Sequence, residues 1–382
     1  TLTMDTFLSE SRAPKTRPRQ TPAAVKKVIG DLREELSEAY HRKAGSRLIQ
    51  LKLNEIDDLF EAGYFVPTHH TTINRILREL GYIRPKRKRI REPLDLPPPN
   101  EEWEIDFGQI RIDADTILEF FIVVDRGTSR VIYTEGSQGY TAETALGAVA
   151  RLFQQCGMPQ RLRMDRDTRF VGSWTRDSYP SALIRFLRCL GVTPAVCPPR
   201  RPDLKPYVET CIGTLKDEWF DRHSIQTYAD GLEALDTFQA YHNQQRVHFG
   251  RACDGRIPDE KFPDLPALRP LPQLVNPMTW IHDDHQRVYR RRITSNGTFQ
   301  IDRYTYYVDE QHAKQNVLVY LDAINRQFQV WHGDEPLATL PMKGLQPSKG
   351  IPFAVYLDQM KQEARSIEMH RLMTWYQIGD VA

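Results

Sequence analysis

The sequence lacks an apolar run long enough to span a membrane, and its amino terminus is polar and basic rather than signal-like. Cysteine is scarce: there are five in 382 residues, an odd number, and none forms a Cys-x-x-Cys pair. We therefore expect reduced, buried thiols in a soluble, cytoplasmic protein. With 40% hydrophobic and 10% aromatic residues, the chain is long enough for two or three packed domains.

The net charge is also small, at +2, but it is unevenly distributed. Residues 1–92 carry 19 Lys and Arg against 12 Asp and Glu, a net charge of +7, which leaves −5 for the other 290 residues. A basic amino-terminal part joined to a slightly acidic remainder fits a DNA-binding region attached to a carboxylate active site. The alternative is that the basic part is only a solvated surface.

Three carboxylates are placed where they can share one site. Asp106 lies in a predicted strand, Asp165 ends another short strand, and Glu209 follows a Pro-rich basic loop near the start of a predicted helix. Carboxylates of this kind can hold two divalent cations, Mg²⁺ or Mn²⁺, because hard cations prefer oxygen ligands. Two such ions activate the attacking oxygen and stabilise the leaving oxygen in an in-line displacement at phosphorus.

The predicted helix that carries Glu209 spans about residues 203–221, with Asp203 as its N-cap. Its apolar face, at helical spacing, comprises Val208, Cys211, Leu215 and Trp219. Glu209 lies off this face, on the same side as Gly213 and Lys216. A carboxylate beside a residue without a side chain and near a cation suits a metal ligand next to phosphate.

These features, in this order, resemble the DDE catalytic core of the retroviral integrase superfamily, which includes bacterial insertion-sequence transposases. The resemblance covers roughly residues 97–262. The segments that carry it are Trp103-x-x-Asp106, the strand ending in Asp165, the Pro-rich loop before Glu209, residues 121–130, and residues 241–248 followed by Ile257-Pro258. One departure is Asp167, which stands where most relatives have glycine and puts the local turn geometry in question.

The resemblance implies a DNA transposase that cleaves element ends and joins the liberated 3′-hydroxyls to target DNA. It implies that Asp106 bridges two metal ions, with Asp165 on one ion and Glu209 on the other. No covalent protein–DNA intermediate is expected, because this chemistry needs no Ser or Tyr nucleophile. Two other functions remain open: a structure-specific nuclease of the same fold, and a host-adopted DNA-binding regulator with an idle core.

The predicted fold is multidomain, with an α/β ribonuclease H-like core between an α-helical amino-terminal region and a small β-barrel. The predicted boundaries are a mobile basic arm at 1–20, a helix-turn-helix region at 21–84, a basic Pro-rich linker at 85–99, the catalytic core at 100–262, a second linker at 263–280, the β-barrel at 281–345 and a helical tail at 346–382. The barrel is expected to be structural or to contact DNA or another subunit. The tail is expected to fold back on the barrel or to contact another subunit.

Double-stranded DNA is the expected partner, contacted from three places. In the helix-turn-helix region the candidate contacts are His69, His70, Thr71, Asn74 and Arg75. In the linker they are Lys86, Arg87, Lys88 and Arg89, and in the core they are Arg200, Arg201, Lys205 and Lys216. The alternative for the helix-turn-helix region is an ordinary three-helix bundle with a polar exposed face. The alternative for the basic linker is a spacer that only improves solubility. The resemblance also implies a nucleoid-associated homo-multimer that synapses both element ends, and it leaves a helper ATPase open.

Overall fold

The computed structural model describes residues 20–40, 43–83, 95–172, 179–199, 201–346 and 349–379. The chain divides into two units, Thr1–Ile90 and Arg91–Ala382. None of the helices in the described ranges combines the length and the apolarity that a membrane span needs. Several predicted features lie outside the described residues, namely positions 1–19 of the basic arm, Lys86, Arg87, Lys88, Arg89 and Arg200.

The amino-terminal unit is helical in the part that the structure describes. Its helices are α1 (Ala23–Ala39), α2 (Ser46–Leu53), α3 (Asp57–Glu61) and α4 (His70–Glu79). Helix α2 ends at Leu53 because the chain turns at Asn54, a residue of low helix propensity. Helix α4 packs on α1 and α2, with Ile73, Ile76 and Leu77 fully buried. This packing suits both a helix-turn-helix and a plain helical bundle, so the former stays a prediction.

A mixed five-stranded sheet forms the centre of the second unit. Its strands are β1 (Glu102–Arg111), β2 (Ile117–Asp125), β3 (Val131–Ser137), β4 (Arg161–Met164) and β5 (Thr193–Val196). Their order is β3-β2-β1-β4-β5, with β1, β2 and β3 antiparallel and with β4 and β5 parallel to β1. Adjacent parallel strands bring residues that are distant in sequence to the same level of the sheet.

Helices cover both faces of this sheet. They are α5 (Ala142–Cys156), α6 (Thr168–Val171), α7 (Ala182–Cys189), α8 (Pro206–Thr214), α9 (Tyr228–Gln244) and α10 (Pro258–Lys261). Alternate residues of β2 enter different cores: Phe121 and Val123 pack with α5 and α7, whereas Phe120 and Ile122 pack with α8 and α9. This is the ribonuclease H-like arrangement that the resemblance implied for the core.

The carboxyl-terminal β-region is not a closed barrel. Its strands are β6 (Leu274–Val275), β7 (Val288–Arg292), β8 (Thr298–Ile301), β9 (Tyr304–Tyr307), β10 (Asn316–Asp322), β11 (Gln327–His332), β12 (Glu335–Pro341) and β13 (Ile351–Pro352). Strands β12-β11-β10-β7 form an open sheet, while β8-β9 and β13-β6 are separate pairs. The β8-β9 hairpin contributes Phe299, Ile301 and Tyr306 to one core with this sheet. The short strands were foreseen, but their edges do not join among the described residues, which corrects the barrel prediction.

The tail forms helix α11 (Phe353–Gly379), which folds back on the catalytic core. It packs on α5 and α7 and buries Tyr356, whose ring stacks on Phe186 with centroids 5.8 Å apart. Glu363 of α11 accepts a hydrogen bond from Arg185 of α7 at 2.9 Å, and Ser366 accepts one from Arg303 of the β-region. We had expected the tail to pack on the barrel or on another subunit. It instead joins the β-region and the core within one unit.

Candidate active site

Asp106 and Asp165 lie level with each other on neighbouring strands. Strands β1 and β4 pair in parallel with Glu104 opposite Arg163, and the same register carried two residues further places Asp106 beside Asp165. Asp106 lies inside β1, and Asp165 directly follows β4. The sheet thus brings together two carboxylates that are 59 positions apart in the chain.

The ammonium group of Lys205 lies between these two aspartates. Its Nζ is 2.9 Å from Oδ2 of Asp106 and 3.9 Å from Oδ2 of Asp165, and only 3% of the side chain is exposed. Burial raises the pKa of Asp106, and the nearby ammonium opposes that shift. The sequence analysis expected Lys205 to contact DNA phosphate. The structure instead places it in the carboxylate site.

Helix α8 begins at Pro206, three residues later than the predicted N-cap Asp203. Asp203 lies in a short 3-10 turn, where its carboxylate accepts hydrogen bonds from the guanidinium of Arg201 at 2.9–3.2 Å. Proline suits the first helical position because it lacks an N–H group that would have no partner within the helix. The prediction of Asp203 as the N-cap is therefore wrong.

Glu104 of β1 supplies the acceptor that caps α8. Its buried Oε2 accepts hydrogen bonds from the backbone N–H groups of Tyr207 at 3.0 Å and Val208 at 2.9 Å. Burial raises the pKa of Glu104 to about 7, against the opposing effect of these hydrogen bonds and of Arg126. Glu104 was not among the residues predicted for the site. The alternation of side chains along a strand could have indicated it, because Glu104 and Asp106 are two residues apart and project from one face of β1.

Glu209 is exposed on α8, off the buried face formed by Val208, Cys211 and Leu215. Its backbone N–H donates to the carbonyl oxygen of Lys205 at 3.3 Å, so the two residues are one helical turn apart. Lys216 is partly buried in the π-helical turn Leu215–Phe220, which continues α8. The predicted apolar face of this helix is confirmed, with Trp219 packed at its edge.

The aspartate pair fits a hard divalent cation. Asp106 and Asp165 provide carboxylate oxygens, which Mg²⁺ prefers, and the Lys205 ammonium already occupies a cation position between them. Glu209 is not gathered with them: in the part of the chain that the structure describes, no three Asp, Glu, His or Cys side chains meet as a metal site. The carboxylates of Asp106 and Asp165 therefore converge on the Lys205 ammonium, and Glu209 lies on α8, which begins at the next residue.

The loop after Asp165 accommodates Asp167 in place of the usual glycine. Asp167 is the N-cap of α6, and its Oδ1 accepts a hydrogen bond from the backbone N–H of Arg169 at 2.8 Å. The Arg169 guanidinium pairs with Asp167 and Glu119 and lies 4.1 Å from the centre of the Phe107 ring. A capped helical turn thus replaces the glycine turn, and Phe170 remains fully buried.

Two other carboxylates of the core have structural roles. Asp113 is exposed in the β1–β2 turn and accepts hydrogen bonds from the backbone N–H groups of Asp115 and Thr116. Asp125 is buried and accepts a hydrogen bond from the hydroxyl of Thr128 at 2.6 Å. Each of these carboxylates is therefore used by a turn rather than by the Asp106 site.

The predicted base-contacting residues lie at the start of α4 and off its buried face. His69 precedes the helix, and the others on it are His70, Thr71, Asn74 and Arg75. Arg75 is exposed, with Nε 3.8 Å from Oε1 of Glu79. In the second unit, Arg201 is exposed beside the start of α8. These positions leave the side chains accessible to a ligand.

One family model, described as an integrase core domain, matches residues 190–254 of this unit. This segment of the chain is therefore similar to an integrase core. The matched residues run from the end of α7 past α9 and include Lys205 and Glu209, but neither aspartate.

Solved integrases are similar to this chain at low sequence identity. A chain of the simian T-cell lymphotropic virus intasome is 13% identical, with 82% of this chain and 98% of that chain covered and a TM-score of 0.36. The HTLV-2 integrase catalytic core domain in complex with magnesium is 14% identical, covering 43% and 97%, with a TM-score of 0.32. The BIV integrase catalytic core is 19% identical, covering 42% and 92%, with a TM-score of 0.32. No curated protein sequence matches the chain.

Proposed function

We propose that the protein is a DDE transposase, which cleaves the ends of a DNA element and joins the 3′ ends to target DNA. The observation that supports this most is the convergence of Asp106 and Asp165 on one cation position, in a chain whose residues 190–254 match an integrase core domain. Glu209 is exposed on α8, and the first residue of α8 directly follows Lys205, whose ammonium occupies the cation position. This arrangement suits phosphoryl transfer on a DNA strand.

Asp106, Asp165 and Glu209 are the proposed ligands of two Mg²⁺ or Mn²⁺ ions. As the resemblance implies, Asp106 would help to hold both ions, Asp165 one of them and Glu209 the other. When bound, the ions supply activation of the attacking oxygen and stabilisation of the leaving oxygen. The chain itself holds the ligands in place: β1 and β4 fix the two aspartates, and Glu104 fixes the start of α8.

The amino-terminal unit is the proposed reader of element ends, with His69, His70, Thr71, Asn74 and Arg75 facing bases. Lys86, Arg87, Lys88 and Arg89 would follow the phosphate backbone, and Arg200, Arg201 and Lys216 would contact phosphates near the catalytic site.

Arg75→Ala should weaken binding to element ends by about 1–3 kcal/mol if its guanidinium pairs with a guanine. A gel-shift titration measures this, and an equal loss on unrelated DNA would contradict a base contact.

A strand-transfer assay with candidate terminal repeats tests the catalytic proposal. Asp106→Asn, Asp165→Asn and Glu209→Gln should each abolish cleavage and joining while DNA binding in gel shifts persists, because each removes a metal-holding charge at nearly constant volume. Asp113→Asn is the matched control, since Asp113 lies in an exposed turn outside the site. A neutral variant that cleaves at the wild-type rate refutes the role of that residue.

The same assay separates the two other functions that the sequence left open. Cleavage that never leads to joining, with every candidate end, indicates a nuclease of the same fold. Specific binding without any cleavage in Mg²⁺ or Mn²⁺ indicates a DNA-binding regulator. Joined products that depend on all three carboxylates support the transposase.

A further inference from the structure

Lys205 is a buried cation inside a site proposed for metal ions. Its ammonium is 2.9 Å from Asp106 and 3.9 Å from Asp165, and its side chain is almost fully shielded from solvent. A lysine that contacted DNA phosphate in every state of the protein would have to be accessible. Its ammonium instead lies at the place between the two carboxylates that a cation held by both of them would take.

The backbone around Lys205 keeps the ammonium at this place. Lys205 directly precedes Pro206, and the next two N–H groups of α8 are bound by Glu104, which lies on the same face of β1 as Asp106. The start of α8 is thus tied to the strand that carries Asp106. From this anchor the lysine side chain reaches the aspartates.

Electrostatics explains why a cation is needed there. The Asp106 side chain is only 20% exposed, and the half-exposed Asp165 shares the same ammonium, so without a cation the two carboxylates would repel each other. An ammonium group and a divalent ion between the same two carboxylates would also repel each other. The two cations therefore exclude one another at this position.

We infer that Lys205 is the internal counter-cation of the metal-free site and that a divalent ion displaces it. This inference rests on the proposed metal-dependent function. The displaced ammonium remains at the amino end of α8, one turn before the exposed Glu209, where it can contact a DNA phosphate. Metal loading would then precede and create this phosphate contact, so that the DNA-binding surface is completed only in the loaded protein.

Lysine reactivity of the full chain measures the displacement directly. The protein is treated briefly with an amine-acetylating reagent, with and without saturating Ca²⁺ or Mg²⁺, and the acetylation of Lys205 and Lys216 is measured by mass spectrometry. We expect the labelling rate of Lys205 to rise about tenfold or more with metal, a change equivalent to about 1.4 kcal/mol. The reference Lys216, in the turn after α8, should not change. Lys205 that stays unlabelled at saturating metal overturns the inference.

Isothermal titration with Mn²⁺ provides a second measurement. Lys205→Met removes the competing charge at similar side-chain length, so the first ion should bind about tenfold or more tightly than in the wild type. Lys216→Met is the matched control and should bind like the wild type. Lys205→Gln replaces Lys205→Met if circular dichroism shows that the latter does not fold. Unchanged or weaker binding in the Lys205 variant overturns the inference.

Asp106→Asn distinguishes the two levels of the argument. If Asp106→Asn binds Mn²⁺ as tightly as the wild type does, the proposed metal function fails. If binding depends on Asp106 but Lys205 stays protected and Lys205→Met has no effect, only the displacement of Lys205 fails.

Discussion

The hydrogen bonds from α8 to Glu104 predict that this residue, outside the proposed catalytic set, controls the position of α8. Glu104 is fully buried, and its carboxylate joins β1 to the backbone of Tyr207 and Val208. Its other oxygen, Oε1, lies 3.2 Å from Nε of Arg126. Replacement of Glu104 should therefore loosen the start of α8, and with it the helix that carries Glu209.

The size of the effect follows from these contacts. A buried N–H left without an acceptor costs about 1–3 kcal/mol, and removing one partner of a buried charged pair costs about 3–5 kcal/mol. Because these costs overlap at one side chain, we expect Glu104→Ala to lower the free energy of unfolding by about 4 kcal/mol. Glu104→Gln should cost only about 1 kcal/mol, since it keeps an acceptor oxygen and since the wild-type group, with a pKa of about 7, is itself partly protonated at neutral pH.

Urea denaturation of the full chain measures the stability, and hydrogen exchange followed by mass spectrometry measures α8 itself. We expect peptides containing the Tyr207 and Val208 amides to exchange faster in Glu104→Ala. Glu102→Gln is the control, because Glu102 is buried and paired with Arg126 and Arg163 but makes no hydrogen bond to α8. It should lower stability without faster exchange at these two amides. Unchanged exchange in Glu104→Ala would refute the role of Glu104 as the cap.

Three further predictions concern stability and assembly. Burial lowers the pKa of His242 well below 6.5, so below about pH 6.5 the unfolded chain takes up a proton that the folded chain does not, and the free energy of unfolding should fall. His242→Gln should make this fall smaller in urea denaturation at a series of pH values. The same pH dependence in the variant and the wild type would contradict this. Gly108→Ala should lower the free energy of unfolding by about 1–3 kcal/mol, because its Cβ would overlap the buried Phe120 ring; unchanged stability would show that the ring can move. If the amino-terminal unit acts in trans, an Asp165→Asn chain mixed with a chain lacking residues 1–92 should recover strand joining that neither shows alone, and inactivity at every ratio despite co-assembly on DNA would exclude this.

The elements of the core could be predicted from the sequence, because each depends on a local pattern. Strand β2 at Ile117–Asp125 and helix α5 at Ala142–Cys156 are examples. Such segments combine strand or helix periodicity with clear turn signals at both ends. Asp106, Asp165 and Glu209 could be predicted as one site, because their order and their neighbouring motifs are features of the sequence alone; the structure brings the two aspartates together, and the role of Glu209 stays a prediction.

Other features depended on contacts between distant parts of the chain. The sequence showed strands in the carboxyl-terminal region, but not that β7 and β12 stay apart, because strand pairing depends on which edges meet in three dimensions. It showed an amphipathic tail, but not that α11 packs on α5 and α7. The sequence also showed Lys205 before Glu209, and a lysine in an exposed loop could contact DNA phosphate. Only the parallel pairing of β1 with β4, and the docking of α8 on β1, turned Lys205 inward to the two aspartates, because two adjacent carboxylates, one of them largely buried, attract a cation.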